Sequence, residues 1–244
     1  MNIMGFDLWE IVIYGLFLLA VLFAAYAQVK VSSTFKKYSH KNTSCGRSAT
    51  DVARMILDEN HASYVRIERV SGNLTDHYDP SCDTLRLSDT VYASSSAAAI
   101  GVAAHEAGHA IQHSVGYVPI KIRSLLVPIT NFASKFAWLA IVAGIILMAL
   151  AGAIGETVML IGIALFACTT LFQLVTLPCE FNASNRAMKA LRKSGLYSKR
   201  ELSQAREVLT AAALTYVAAA LVSLVQLMRF ILRFLAHRGR SSRR

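Results

Sequence analysis

Residues 103–113 read AAHEAGHAIQH. His105 and His109 are four apart, so on a helix they leave the same face one turn apart. Both imidazoles then reach one metal ion. Glu106 lies only ~100° round the helix from His105, which sets its carboxylate beside that ion, where it can take a proton from metal-bound water. The His-Glu-x-x-His spacing is the zinc pattern of this chemistry. His113 follows His105 by eight residues, ~12 Å along an unbroken helix, too far to share an ion with zinc–nitrogen bonds of ~2.1 Å. Ala110, Ile111 and Gln112 continue the helix, so His113 is read as a residue that supports the ligands or the fold. A catalytic zinc needs three protein ligands, and the third must come from elsewhere in the chain.

Composition directs the search. The chain has 244 residues, 55% hydrophobic and only 16% charged, with a mean hydropathy of +0.44. So little charge on a chain of this size points to a membrane class. Four segments are long and free of charge: Ile11–Val29, Phe136–Gly155, Thr157–Cys179 and Val208–Met228. Each approaches the roughly 20 helical residues that cross a ~30 Å hydrocarbon core. The first is preceded by Asp7 and Glu10 and followed by Lys30, Lys36, Lys37 and Lys41. It reads as an anchor with its N-terminus outside rather than a cleaved signal.

The second and third spans form a hairpin linked around Gly155 and Glu156. Lys121, Arg123 and Lys135 precede it, and Arg186, Lys189, Arg192 and Lys193 follow it. Basic loops stay inside, so residues 30–135 and 178–207 share the cytoplasmic side. The fourth segment is in conflict. Hydropathy favours a span, but a span would carry Arg229, Arg233, Arg238, Arg240, Arg243 and Arg244 outside; a buried or partly inserted helix is the other reading. The net charge of +10 is juxtamembrane and suits anionic lipid. Nucleic acid is not indicated, because the Arg tail has few interleaved aromatic rings. Cys45, Cys82, Cys168 and Cys179 form no CxxC pair, so they are read as reduced and not as zinc ligands.

The polar segment before the hairpin predicts a small α+β unit. TDVARMILDEN (50–60) has helical spacing, with Asp51 near the start. Val65, Ile67 and Val70 alternate like a strand, as do Leu85 and Leu87, with a turn at Ser71-Gly72-Asn73. A helix from about Ser94 to Val115 follows, ended by Gly116. The best-placed third ligand is Glu180 in LPCEFNASNRAMKAL (177–191). Pro178 is expected to end the third span and Glu180 to open a new helix at the membrane edge, on the same side as His105 and His109. A plain helix-start glutamate is the competing explanation.

The set LTDHYDP (74–80), LRLSDTVY (85–92), AAIGVAAHEAGHAIQH (98–113), LPCEFNASNRA (177–187) and AAALTYVAAAL (211–221) resembles the YugP-like neutral zinc metallopeptidases. The likeness runs from about residue 45 to 235. The order of parts is also similar to the HtpX-type and CAAX-prenyl-protease gluzincins. The resemblance implies an α-helical integral membrane protein with a small α+β zincin-like catalytic domain. It implies Zn2+ held by His105, His109 and Glu180, with Glu106 as catalytic base of a zinc metalloendopeptidase. The family pattern often has Asp where this chain has Asn182. The HtpX-type enzymes often have Asp where this chain has Ser184. Such residues orient ligand histidines, so Asn182, Ser184 and His113 are taken as ligand supports.

The expected organisation is an anchor at 1–29, a cytoplasmic catalytic domain at 30–131 and a hairpin at 132–177. A third-ligand helix with a basic segment at 178–207, an apolar helix at 208–235 (spanning or inserted) and a basic tail at 236–244 complete it. Candidates for oxyanion stabilisation are Tyr216, polar within the fourth apolar segment, and His77. Each also has an ordinary reading, as a core tyrosine and a turn cap. The stretch around His77 also reads as an edge strand able to receive an extended substrate. Partners are protein or peptide substrates, membrane proteins included, and the bilayer. The expected place is the plasma membrane of a bacterium, with the site facing the cytoplasm. The rival reading is a degenerate scaffold or chaperone-like protein with a structural zinc site. The sequence specifies no oligomeric state.

Overall fold

A computed structural model describes residues 2–3 and 6–241. In chain order the elements are β1 (Asn2–Ile3), β2 (Phe6–Asp7), α1 (Leu8–Ser39), α2 (Ala49–Glu59), β3 (Arg66–Val70), β4 (His77–Asp79) and β5 (Thr84–Ser88). The long helices α3 (Ala97–Ser114), α4 (Val118–Ala151), α5 (Ala153–Lys193) and α6 (Lys199–Ser241) follow. The chain is mostly helical, and α1, α4, α5 and α6 are long and apolar enough to cross a membrane. Arg243 and Arg244 of the basic tail lie outside the described residues. Two compact units divide it: Ala27–Lys121 with Thr176–Thr215, and Met1–Tyr26 with Ile122–Val175 and Tyr216–Arg244.

The second, apolar unit corrects one sequence expectation. The hairpin turns at Gly152, with φ of +48°, and not around Gly155 and Glu156. Positive φ costs least at glycine. Gly155 instead lies inside α5, so close to α4 that a Cβ there would collide with the backbone nitrogen of Met148. The fourth apolar segment is part of one continuous helix, α6. Two of its arginines have partners within the unit. The Arg229 guanidinium sits over the rings of Tyr14 and Phe17, 4.5 and 4.3 Å from their centres. Arg238 lies 3.5 Å from Glu156.

In the polar unit, α2 opens with a capping box. The Ser48 hydroxyl accepts from the Asp51 N–H, and the Asp51 side chain accepts from the Ser48 N–H, which satisfies two of the four orphan donors of a helix start. The sheet has the order β3-β5-β4, with β3 parallel and β4 antiparallel to the central β5. Leu85 and Leu87 of β5 are fully buried, in one core with Ile56 and Leu57 of α2 and Ile100 of α3. β4, which carries His77, is an edge strand.

Helix α3 begins at Ser96, whose hydroxyl accepts from the Ala99 N–H at 3.2 Å. It ends at Gly116, φ +65°, with the Gly116 N–H bonded to His113 O and the Tyr117 N–H to Gln112 O. That is the Schellman arrangement. A second correction concerns α5. It does not stop at Pro178 but runs through it to Lys193. A proline inside a helix costs ~3 kcal/mol, and the buried face that follows it, Cys179, Glu180, Ala183 and Ala187, supplies the packing that offsets this. Glu180 is therefore an interior helix residue, and the helix-start explanation for its charge does not apply.

Candidate metal centre

Two helices of the polar unit build the site. Alanines fill α3 on either side of the motif, and Ala103, Ala104, Ala107 and Ala110 are buried. Small side chains let α5 approach closely. The tightest point is Gly108, where a Cβ would lie 2.6 Å from the carbonyl oxygen of Ala183. The residue inside the His-Glu-x-x-His motif is thus glycine because another backbone occupies the space of a side chain.

This approach brings the carboxylate of Glu180 to the two histidines. Glu180 Oε2 is 3.2 Å from His105 Nε2 and 3.4 Å from His109 Nε2. The imidazole rings stand edge to face, 4.7 Å between centres. One ligand atom from each residue lies within 4.8 Å of the others. Tetrahedral zinc with bonds of ~2.1 Å separates its ligand atoms by roughly 3.4 Å. Two neutral imidazoles and one carboxylate are also a donor set that zinc takes at catalytic sites. The residues present fit the ion. Among the described residues this is the group of His, Cys, Asp or Glu side chains placed to hold one.

Each histidine of the cluster has a second contact through its other ring nitrogen. His105 Nδ1 lies 3.1 Å from Ser184 Oγ. His109 Nδ1 lies 3.0 Å from Gln112 Oε1. Gln112, wholly buried, donates from Nε2 to Cys179 O at 2.7 Å and to Asn182 Oδ1 at 3.0 Å. Asn182 Oδ1 also accepts from Arg186 Nε at 2.7 Å.

Glu106 is not among the three clustered ligands. Its Oε2 accepts the backbone N–H of Tyr78, in β4, at 3.1 Å. Burial pushes its carboxyl up to about 7; His105 opposes the shift, and the charges of Glu180 and Asp76 add to it. Desolvation disfavours the carboxylate form. Asp76 is itself pushed upward by burial while it accepts the Ser88 N–H at 2.7 Å and the Ser88 hydroxyl at 2.9 Å. It thereby ties the start of β4 to the end of β5.

The structure thus brings His105, His109, Glu180 and Ser184 into direct contact, and reaches Asn182 through Gln112. His113 packs its ring on Tyr78, 5.4 Å between centres, behind the residue that anchors Glu106. His77 is exposed, with Nδ1 2.8 Å from Thr75 O. Tyr216 lies on α6 in the other compact unit. Sequence reasoning missed Gln112 and read it as helix filler. The available signal was its spacing, three residues after a ligand histidine, which places it on the same helix face.

The chain combines four helices long and apolar enough to cross a membrane with a largely buried His-His-Glu cluster on two packed helices, a group that could hold a metal ion. The chain belongs to the family described as "Putative neutral zinc metallopeptidase", whose model matches residues 13–235. It is 48% identical over 210 residues to "Putative membrane protease YugP" of Bacillus subtilis (strain 168), covering 86% of this chain and 91% of that protein. No solved structure matches. The family is one of zinc peptidases, and His105, His109 and Glu180 form the group able to hold the ion.

Proposed function

We propose that the chain is a membrane-embedded zinc metalloendopeptidase of the gluzincin type. His105, His109 and Glu180 hold the ion, Glu106 is the general base, and segments 30–131 and 178–207 form a zincin-like catalytic domain. The observation that carries this reading is the convergence of two imidazole nitrogens from α3 and one carboxylate oxygen from α5 beside the half-buried Glu106. A zinc ion held by these three residues would supply a Lewis acid for the scissile carbonyl and a water whose pKa falls to ~7.

The chain's own residues do the rest. Tyr78 N–H holds Glu106 Oε2, so Oε1 is the oxygen that takes the proton and later returns it to the leaving amine. The edge strand β4, beside α3, is the place where an extended peptide would add by strand addition. His77, on that strand, and Tyr216 are the candidates for stabilising the oxyanion. The substrates are proteins or peptides, membrane proteins among them. The site faces the cytoplasm at a bacterial plasma membrane, with the basic segments against anionic lipid.

The test is elemental analysis of the detergent-purified chain together with a peptidase assay. One zinc per chain is expected, lost in His105→Ala and Glu180→Ala. Glu106→Gln is expected to keep the zinc and lose hydrolysis by about 10²–10⁴-fold. Zinc retained at full occupancy in Glu180→Ala would move the third ligand elsewhere. Undiminished hydrolysis in Glu106→Gln would remove the base. Tyr216→Phe and His77→Ala then sort the oxyanion candidates by which of them lowers kcat.

A further inference from the structure

The contacts around Gln112 have a direction that the distances alone fix. Cys179 O is a backbone carbonyl and can only accept, so the Gln112 atom 2.7 Å from it is the amide nitrogen. Arg186 Nε can only donate, so the Asn182 atom 2.7 Å from it is the amide oxygen. That oxygen in turn faces Gln112 Nε2 at 3.0 Å. Both amide hydrogens of Gln112 are thereby engaged. Turning either side chain over would set acceptor against acceptor or donor against donor, and at Gln112, itself wholly buried, that costs unsatisfied polar groups. The one position left for Gln112 Oε1 is against His109 Nδ1, at 3.0 Å. An acceptor there requires Nδ1 to carry the hydrogen.

We infer that Gln112 is a positioning residue: held from one side by Cys179 O and from the other by Arg186 through Asn182, its amide oxygen fixes His109 in the Nδ1–H tautomer and presents the Nε2 lone pair to the metal. The other ligand histidine is not fixed in this way. His105 Nδ1 meets the Ser184 hydroxyl, which donates or accepts equally well. His109 is the preset ligand and His105 the adaptable one. Glu180 places its Oε2 3.4 Å from His109 Nε2, within the spacing that one zinc ion would bridge.

This rests on the reading of His109 as a metal ligand, which the zinc stoichiometry of the wild-type chain tests separately. The experiment uses the full chain in detergent. Zinc affinity is measured by competition with a fluorescent chelator in wild type, Gln112→Met and Ser184→Ala. Nitrogen-15 NMR of the labelled histidines is recorded on the zinc-loaded wild type. Loss of an outer partner of a ligand weakens metal binding by roughly 10- to 100-fold. Gln112→Met is expected in that range and to weaken zinc more than Ser184→Ala. The NMR is expected to find His109 bound through Nε2, with an Nδ1 proton that exchanges slowly with solvent. Zinc bound equally well by Gln112→Met would overturn the inference. So would a His109 Nδ1 that carries the metal, lacks the hydrogen, or exchanges it freely; this measurement decides the matter if Gln112→Met does not fold. A wild-type chain that binds no zinc would fail the ligand reading itself, a different outcome from either of these.

Discussion

The α3–α5 contact in the polar unit and the α4–α5 contact in the apolar unit are both closed by glycine, yet they serve different ends. At the first, Gly108 faces the Ala183 carbonyl with 2.6 Å between its absent Cβ and that oxygen. At the second, Gly144, Gly155 and Gly162 face the backbones or side chains of Met159, Met148 and Ile141. Between membrane helices, small residues allow backbone approach because lipid offers no hydrophobic drive to associate. In the polar unit the same device sets the distance between Glu180 and the two histidines proposed to hold the ion with it. Metal sites hold their distances to about 0.2 Å, so a displacement that a packed hairpin absorbs would take Glu180 out of reach of His105 and His109. Close approach is structural in one contact and chemical in the other.

The strongest way to break this contrast is Gly108→Ala. The added methyl meets a backbone carbonyl, so one helix must move. Stability should fall by about 1–3 kcal/mol, as for other overpacked sites. Zinc affinity should fall at least about tenfold, since the displaced helix carries Glu180, the proposed third ligand. Chelator competition and chemical unfolding of the same preparation check both. Gly155→Ala is the counterpart. It too should cost about 1–3 kcal/mol, because its Cβ would collide with the Met148 nitrogen. Its zinc affinity should stay within about twofold, since separate sites combine additively within ~0.3–0.5 kcal/mol. Parallel losses of zinc in the two variants would dissolve the distinction. Ser184→Ala ranks third. It leaves the helix contact intact and removes the hydroxyl beside His105 Nδ1. Zinc should weaken by about tenfold, while the unfolding midpoint barely moves.

What the sequence disclosed follows the range of the interactions. Local signals were readable: Asp51 at the start of α2, the alternation at Leu85 and Leu87, and Gly116 after α3 act within a few residues. The four apolar helices and the small sheet emerge for the same reason. Pro178 misled, because its local cost was visible and the buried face beyond it, at Ala183 and Ala187, was not. The hairpin turn was placed near Gly155 instead of Gly152, since the sequence does not tell a glycine needed for φ from one needed for contact. Gln112 was passed over for a similar reason. Its importance lies in Cys179, Asn182 and Arg186, distant in sequence and adjacent only once α3 and α5 pack.

The smallest effect gives the sharpest comparison. Gly101 lies on the same helix as Gly108, about two turns earlier. A Cβ there would sit 3.4 Å from the Cβ and carbonyl oxygen of Ala205, close to ordinary contact. Alanine in a helix interior is favoured over glycine by roughly 0.5–1 kcal/mol. Gly101→Ala should therefore leave zinc binding unchanged and raise stability by up to about 1 kcal/mol, with any crowding against Ala205 subtracting from that. One helix, one substitution and two signs would attribute the cost at Gly108 to the Ala183 carbonyl rather than to α3. If Gly101→Ala destabilises as much as Gly108→Ala, then α3 tolerates no added methyl anywhere along its face, and the distance-setting role belongs to the helix as a whole.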